Sequence, residues 1–233
     1  MTKTAFITGA TGYTGREVVR LACEAGLDTI AHIRPASRRR DEWTARFREL
    51  GATVDVTPWE REEMSATLTE TVPELLFFLV GTTRARDRRT EEDNSYEAVD
   101  YGLLRLLVDA CLDASVRPKL IYLSAIGVSE NSRSAYMRAR WRAEEKIRDS
   151  GLSHIIARPA MITGPGRDES RPMERLGGAL SDLAAGGLGL VGARRLADRY
   201  RSMTNTELAQ KLVDLALDGD IEKKIVESEE LKR

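Results

Sequence analysis

Residues 4–15 read TAFITGATGYTG, and this stretch decides the fold. Thr4 to Thr8 is a short, mostly apolar and β-branched run that predicts a buried strand. The turn after it spaces its glycines as G-x-x-G-x-x-G, at Gly9, Gly12 and Gly15. It opens onto a predicted helix, residues 13–25, whose apolar positions are Val18, Val19, Leu21 and Ala22. A glycine turn between strand and helix is the context in which such a motif points to a nucleotide. Gly9 allows the tight turn, Gly12 lets the backbone approach a pyrophosphate, and Gly15 lets the helix pack on the strand. The free N–H groups at the helix start, and their partial positive charge, suit the phosphates. Thr11, Tyr13 and Thr14 complete the loop and join the three glycines as candidate cofactor-binding residues. The alternative is a glycine turn with no ligand.

Working outward, strands and helices alternate. Strands are expected at residues 29–33, 53–57, 75–80, 119–124 and 154–158, with helices at 39–50, 62–69, 95–114 and 135–149. The run 75–80 is apolar throughout, as in a parallel strand covered on both faces. Repeated βα units with right-handed crossovers predict a doubly wound α/β Rossmann fold, strand order 3-2-1-4-5-6. The rhythm breaks after Pro159. Residues 160–202 are rich in glycine and arginine and show no clear strand. Thr204 and Glu207 form a capping-box signature ahead of an apolar helix, residues 208–217, and a short strand is expected at 224–226. The chain therefore reads as a single domain over residues 1–233, with 160–233 contributing a small substrate-side lobe.

The 233 residues suffice for one buried core. A net charge of −1 argues against broad nucleic-acid binding. No apolar run is long enough to cross a bilayer, and no export-type segment precedes the first strand. Cys23 and Cys111 fall on apolar helical stretches and read as small core residues, and His32 as a packed strand histidine. Together with His154 they give no metal-ligand spacing, so no metal is expected. These features predict a cytoplasmic protein acting on a small molecule, without nucleic-acid or membrane partners, as monomer or homodimer.

The second strand indicates which dinucleotide. A site for the unphosphorylated coenzyme places Asp or Glu near that strand's end, to hold the ribose 2′-hydroxyl. Here the strand ends His32-Ile33-Arg34, and Asp28 sits at the wrong end. Arg34, helped by Ser37 and Arg38, suits a 2′-phosphate, which predicts NADP. Asp55, ending the third strand, is placed to meet the adenine edge. Gly81, Thr82 and Thr83, ending the fourth, are placed to border the cofactor.

Ser124 ends the fifth strand, Tyr136 lies at the start of the next helix, and Arg140 shares its face one turn on. Such a group can serve carbonyl reduction. Tyr136 would act as general acid, Ser124 would hydrogen-bond the carbonyl, and the cation would lower the tyrosine pKa. An ordinary surface pair is the alternative for Tyr136 and Arg140.

The GATGYTG turn, the strand end Leu123-Ser124-Ala125-Ile126-Gly127 and the pair Arg158-Pro159 resemble the short-chain dehydrogenase/reductase superfamily, in its extended and atypical branches. Gly81-Thr82-Thr83-Arg84, Val99-Asp100-Tyr101 and Glu169-Ser170-Arg171-Pro172 look more narrowly like the Tat-interacting-protein type of oxidoreductase. The resemblance implies a Rossmann fold with bound NADP, Pro159 beside it, and a Ser and Tyr-x-x-x-Lys centre mapping onto Ser124 and Tyr136. This chain departs from that pattern with Arg140 in place of lysine, and with Asp100 where many relatives carry asparagine. Two functions follow as expectations. One is an NADP(H)-dependent oxidoreductase acting on a small carbonyl or alcohol. The other is an NADP(H)-binding regulatory or redox-sensing protein without turnover. A nucleotide-sugar epimerase or dehydratase fits less well, because such relatives usually need a larger C-terminal lobe.

Overall fold

A computed structural model describes residues 2–81, 96–163 and 202–232 of the chain. Seven parallel strands form one sheet in the order β3-β2-β1-β4-β5-β6-β9. They are β1 Thr4–Thr8, β2 Asp28–His32, β3 Thr53–Asp55, β4 Leu75–Phe78, β5 Lys119–Leu123, β6 His154–Arg158 and β9 Lys224–Glu227. The expected Rossmann order is thus present, extended by one strand at the β6 edge. A separate parallel pair joins β7 Ile162–Thr163 to β8 Met203–Thr204.

Helices α1 Gly15–Glu24, α2 Arg40–Glu49 and α6 Asn205–Leu217 cover one face of the sheet. Their Val18, Val19, Trp43, Phe47, Leu208 and Leu212 pack on Ala5, Ile7, Phe77 and Ile121. Helices α3 Arg61–Thr71, α4 Leu103–Asp113 and α5 Ala135–Asp149 cover the other, with Met64, Leu68, Leu107 and Ile147 on Phe6, Phe78 and Tyr122. Alternate strand residues therefore feed two apolar layers. A short α7, Ser228–Leu231, closes the chain.

Three local departures from the sequence reading have physical causes. Strand β3 ends at Asp55 because Thr57 folds back, its N–H at 3.2 Å and its hydroxyl at 2.7 Å from the Asp55 carboxylate. The helix expected from residue 95 is described from residue 96, and Glu97–Gly102 winds as a wider π-helical turn before α4, with Asp100 fully buried on it. The C-terminal residues do more than flank a substrate site. Helix α6 carries the expected capping box, with Thr204 and Glu207 bonded reciprocally, and packs in the same layer as α1.

Candidate cofactor and active site

Strand β1 sits between β2 and β4, so the sheet's order reverses there. In open α/β sheets a ligand crevice forms at that point, beyond the strand C-termini. Gly9 follows β1 with φ +72, and a Cβ there would lie 2.6 Å from the Leu79 carbonyl carbon. At Gly15 a Cβ would lie 2.1 Å from the Gly9 carbonyl oxygen. Both glycines are therefore demanded by the protein's own packing. Gly12 differs. It is exposed, and an added Cβ would approach only the Gly9 oxygen, at 3.0 Å. Its lack of a side chain leaves the loop backbone open at this position. The N-cap of α1, Thr14, makes no side-chain capping bond. Arg16 N–H donates to the Gly12 carbonyl at 3.1 Å, whereas the Thr14 N–H has no acceptor among the described residues and suits an anion. Thr11 is half-buried within the loop. Tyr13 is tied down: its hydroxyl donates to the Thr163 carbonyl at 3.2 Å, and Asn205 Nδ2 donates to its carbonyl at 2.7 Å.

At the end of β2, His32 is buried with Nε2 2.8 Å from the Thr57 carbonyl and 3.8 Å from Asp55. Burial holds its pKa below the usual histidine value. Arg34 and Arg38 are exposed beyond it. Their neighbours are committed elsewhere: Arg39 grips Glu42 through two bonds of 2.7 Å, and Arg40 pairs with Asp41 at 3.2 Å. Arg38 has no ion pair among the described residues. The Asp55 carboxylate is occupied by Thr57, so its position relative to the crevice is set by that turn. Of the three residues expected after β4, Gly81 is described and Thr82 and Thr83 lie outside the described residues.

The candidate catalytic side chains cluster at the C-terminal ends of β4, β5 and β6. Ser124 is buried, and its hydroxyl donates to Glu144 Oε1 at 2.5 Å. Glu144 is itself fully buried on α5 and takes Arg158 Nε at 3.0 Å. Arg158 also reaches Glu227 on β9, at 2.9 Å. Arg140, also buried, pairs with Asp100 at 2.8 Å and donates to the Leu123 carbonyl. Its guanidinium carbon stands 5.2 Å from the Tyr136 ring centre and 5.5 Å from that of Tyr122. Burial opposes its charge, but Tyr122, Tyr136 and Asp100 outweigh that and hold its pKa above the ordinary arginine value. A Cβ at Gly81 would meet Arg140 Nη2 at 2.7 Å, so this glycine makes room for the guanidinium. Tyr136 is half-buried and meets Tyr96 edge-on at 5.2 Å. Pro159 is buried after β6, its carbonyl accepting the Ile126 N–H at 3.0 Å.

Ser124, Tyr136 and Arg140 are thus gathered in one region, but two of the three have their polar groups engaged by carboxylates. Glu144 and Asn205 were missed by sequence reasoning, and Arg158 was read only as part of the family-like pair with Pro159. Glu144 had a signal: it is a charge on the inward stripe Ala139, Ala143, Ile147 of α5. Asn205 had none beyond the capping box beside it.

The crevice, the glycine cradle and the open helix start define a nicotinamide-dinucleotide-binding Rossmann protein. The chain belongs to the NAD(P)H-binding family, whose profile matches residues 9–182. It is 31% identical over 173 residues to the mitochondrial protein fmp52 of Aspergillus niger, covering 72% of this chain and 70% of that one. It is 27% identical over 168 residues to a ceramide reductase of Caulobacter vibrioides, covering 70% of this chain and 48% of the relative. Among solved structures, ChuY, an anaerobilin reductase from Escherichia coli O157:H7, superposes with a TM-score of 0.62 at 15% identity, covering 97% of this chain and 95% of its own. That likeness is one of fold. The cytoplasmic location expected from the sequence is corrected by these relatives. Those in Aspergillus, Debaryomyces and Candida are named as mitochondrial, and one in Arabidopsis thaliana as chloroplastic.

Proposed function

We propose that the chain is an NADPH-dependent oxidoreductase that reduces a small carbonyl compound. The observation that carries this is Tyr136, half-buried at the C-terminal end of the sheet with the Arg140 guanidinium against its ring and Ser124 on the adjoining strand end. When bound, the coenzyme supplies the hydride. The chain's own residues place the dinucleotide and manage one proton. The Gly9–Gly15 loop receives the pyrophosphate, and Arg34 and Arg38 receive the 2′-phosphate. Tyr136 gives its hydroxyl proton to the developing alkoxide.

Consumption of NADPH over a panel of aldehydes, ketones and quinones tests the reading. Tyr136→Phe is expected to abolish turnover while leaving the NADPH dissociation constant unchanged. Arg34→Asp is expected to weaken NADPH by about tenfold or more, the size of a charge-assisted contact. An unchanged constant would remove the preference for the phosphorylated coenzyme.

One observation favours a second reading, a regulatory NADPH-binding protein without turnover. Arg140 is neutralised by Asp100, and the Ser124 proton is directed at Glu144. Binding of NADPH with no oxidation across the whole panel would support it over the first.

A further inference from the structure

We propose that Asn205, near the far end of the chain, is a positioning residue of the cofactor loop that sets the direction of the Thr14 N–H. The proposal rests on the dinucleotide-binding role of the glycine loop. Its side chain is buried, and its Nδ2 donates to the Tyr13 carbonyl at 2.7 Å across 192 positions of sequence. Because a peptide unit is planar and trans, its C=O and N–H point in opposite directions. Holding the Tyr13 oxygen on the α6 side therefore aims the Thr14 N–H the other way. Among the described residues that N–H has no acceptor, and Thr14 leaves the start of α1 uncapped. An N–H so placed at an open helix start is a phosphate donor.

Asn205 is well anchored for this purpose. It is the first residue of α6, directly after a complete capping box, with Thr204 on β8 paired to Thr163 on β7. Thr163 in turn accepts the Tyr13 hydroxyl. Tyr13 is thus held at its backbone by the first residue of α6 and at its hydroxyl by β7. A hydrogen bond at the carbonyl also polarises the peptide and strengthens the N–H on its other side. Among the described residues the Asn205 Oδ1 atom is buried without a hydrogen-bond partner. The residue is therefore held by its one bond to the loop, not by a network of its own.

The test uses the full chain with calorimetric titration of NADPH, paired with amide exchange at Thr14. Asn205→Asp keeps the shape but sets an oxygen against the Tyr13 oxygen, and Asn205→Ala removes the donor. Both are expected to raise the NADPH dissociation constant about tenfold, equal to about 1.4 kcal/mol. In the wild type, NADPH is expected to slow Thr14 amide exchange, and in either variant that slowing is lost. A merely structural tie would lower the apo melting temperature and leave both NADPH readouts in place, which would overturn the proposal. Should both variants fail to fold, the wild-type exchange still decides: no NADPH-dependent slowing at Thr14 overturns it. A wild type that binds no NADPH would instead remove the family reading on which it rests.

Discussion

Removing the Glu144 charge tests whether the buried network beneath the site is an energetic unit. Glu144 is fully buried and holds both the Ser124 hydroxyl and the Arg158 guanidinium. Glu144→Gln keeps the shape but turns an amide N–H₂ towards a guanidinium that can only donate. Breaking a buried ion pair by removing one partner costs about 3–5 kcal/mol. Arg158 retains Glu227 at 2.9 Å, and that carboxylate is partly exposed, so the lower end applies. For a chain of 233 residues, about 3 kcal/mol corresponds to a melting temperature lower by about 6–12 °C. The decisive comparison is the double variant Glu144→Leu with Arg158→Met. Replacing both charges with apolar groups is commonly neutral or stabilising. What remains is the lost Ser124 bond, about 1 kcal/mol. The double variant should therefore melt within about 4 °C of wild type, and chemical denaturation should give a coupling energy of about 2 kcal/mol or more. A double variant as unstable as the two singles added together would refute the reasoning.

Four further outcomes follow from the geometry. Gly15→Ala forces a Cβ to 2.1 Å from a backbone oxygen; it should lower the melting temperature by about 6 °C or more. Gly12→Ala should fold within about 3 °C of wild type yet weaken NADPH at least about tenfold, and equal stability losses at both sites would contradict the assignment of Gly12 to the ligand. His32 has its pKa depressed by burial, so the unfolded chain takes up its proton more readily. Its contribution is present above the unfolded value of about 6.5 and is lost as pH falls. The melting temperature should drop between pH 7 and 5, and His32→Gln should flatten that slope to the share left to His154, whose pKa burial also lowers. Burial pushes the Cys111 thiol up to about 12, so iodoacetamide at pH 8 should leave it unmodified in the native protein and alkylate it in urea, as mass spectrometry would show; rapid native labelling would contradict its packing.

Much of the framework was legible because its determinants are local. The run Thr4 to Gly15 specifies a strand, a turn and a helix start within twelve positions, and the capping box at Thr204 and Glu207 spans four. Strand order followed from handedness once the βα alternation was clear. What escaped the reading depends on residues far apart in the chain. The pairing of β7 with β8 joins residues 41 apart, and neither dipeptide looks like a strand in isolation. The first helix was expected from residue 13 but starts at Gly15; Tyr13 is bound through its hydroxyl to β7 and through its carbonyl to the start of α6, and stays in the loop. Asn205 carries no local mark of its contact with Tyr13, 192 residues away.

The substitution of arginine for lysine in the Tyr-x-x-x-Lys pattern becomes intelligible only with its neighbours in place. A lysine ammonium is a compact point charge on a flexible stem, whereas a guanidinium is a planar fork that stacks on rings and donates in several directions. Arg140 uses that geometry in full: it pairs with Asp100, donates to the Leu123 carbonyl and lies against Tyr122 and Tyr136. It also needs space that a side chain at position 81 would deny it. Arg140, Asp100 and Gly81 therefore form one packed unit, in which the carboxylate at position 100 matches a buried cation as an asparagine would not. A buried cation fixed in this way stays charged and immobile, so it can act on Tyr136 through its field and contact. It has no freedom left to follow a bound ribose. If the site reduces a carbonyl as proposed, Tyr136 is the proton donor, with Arg140 as its fixed electrostatic backing.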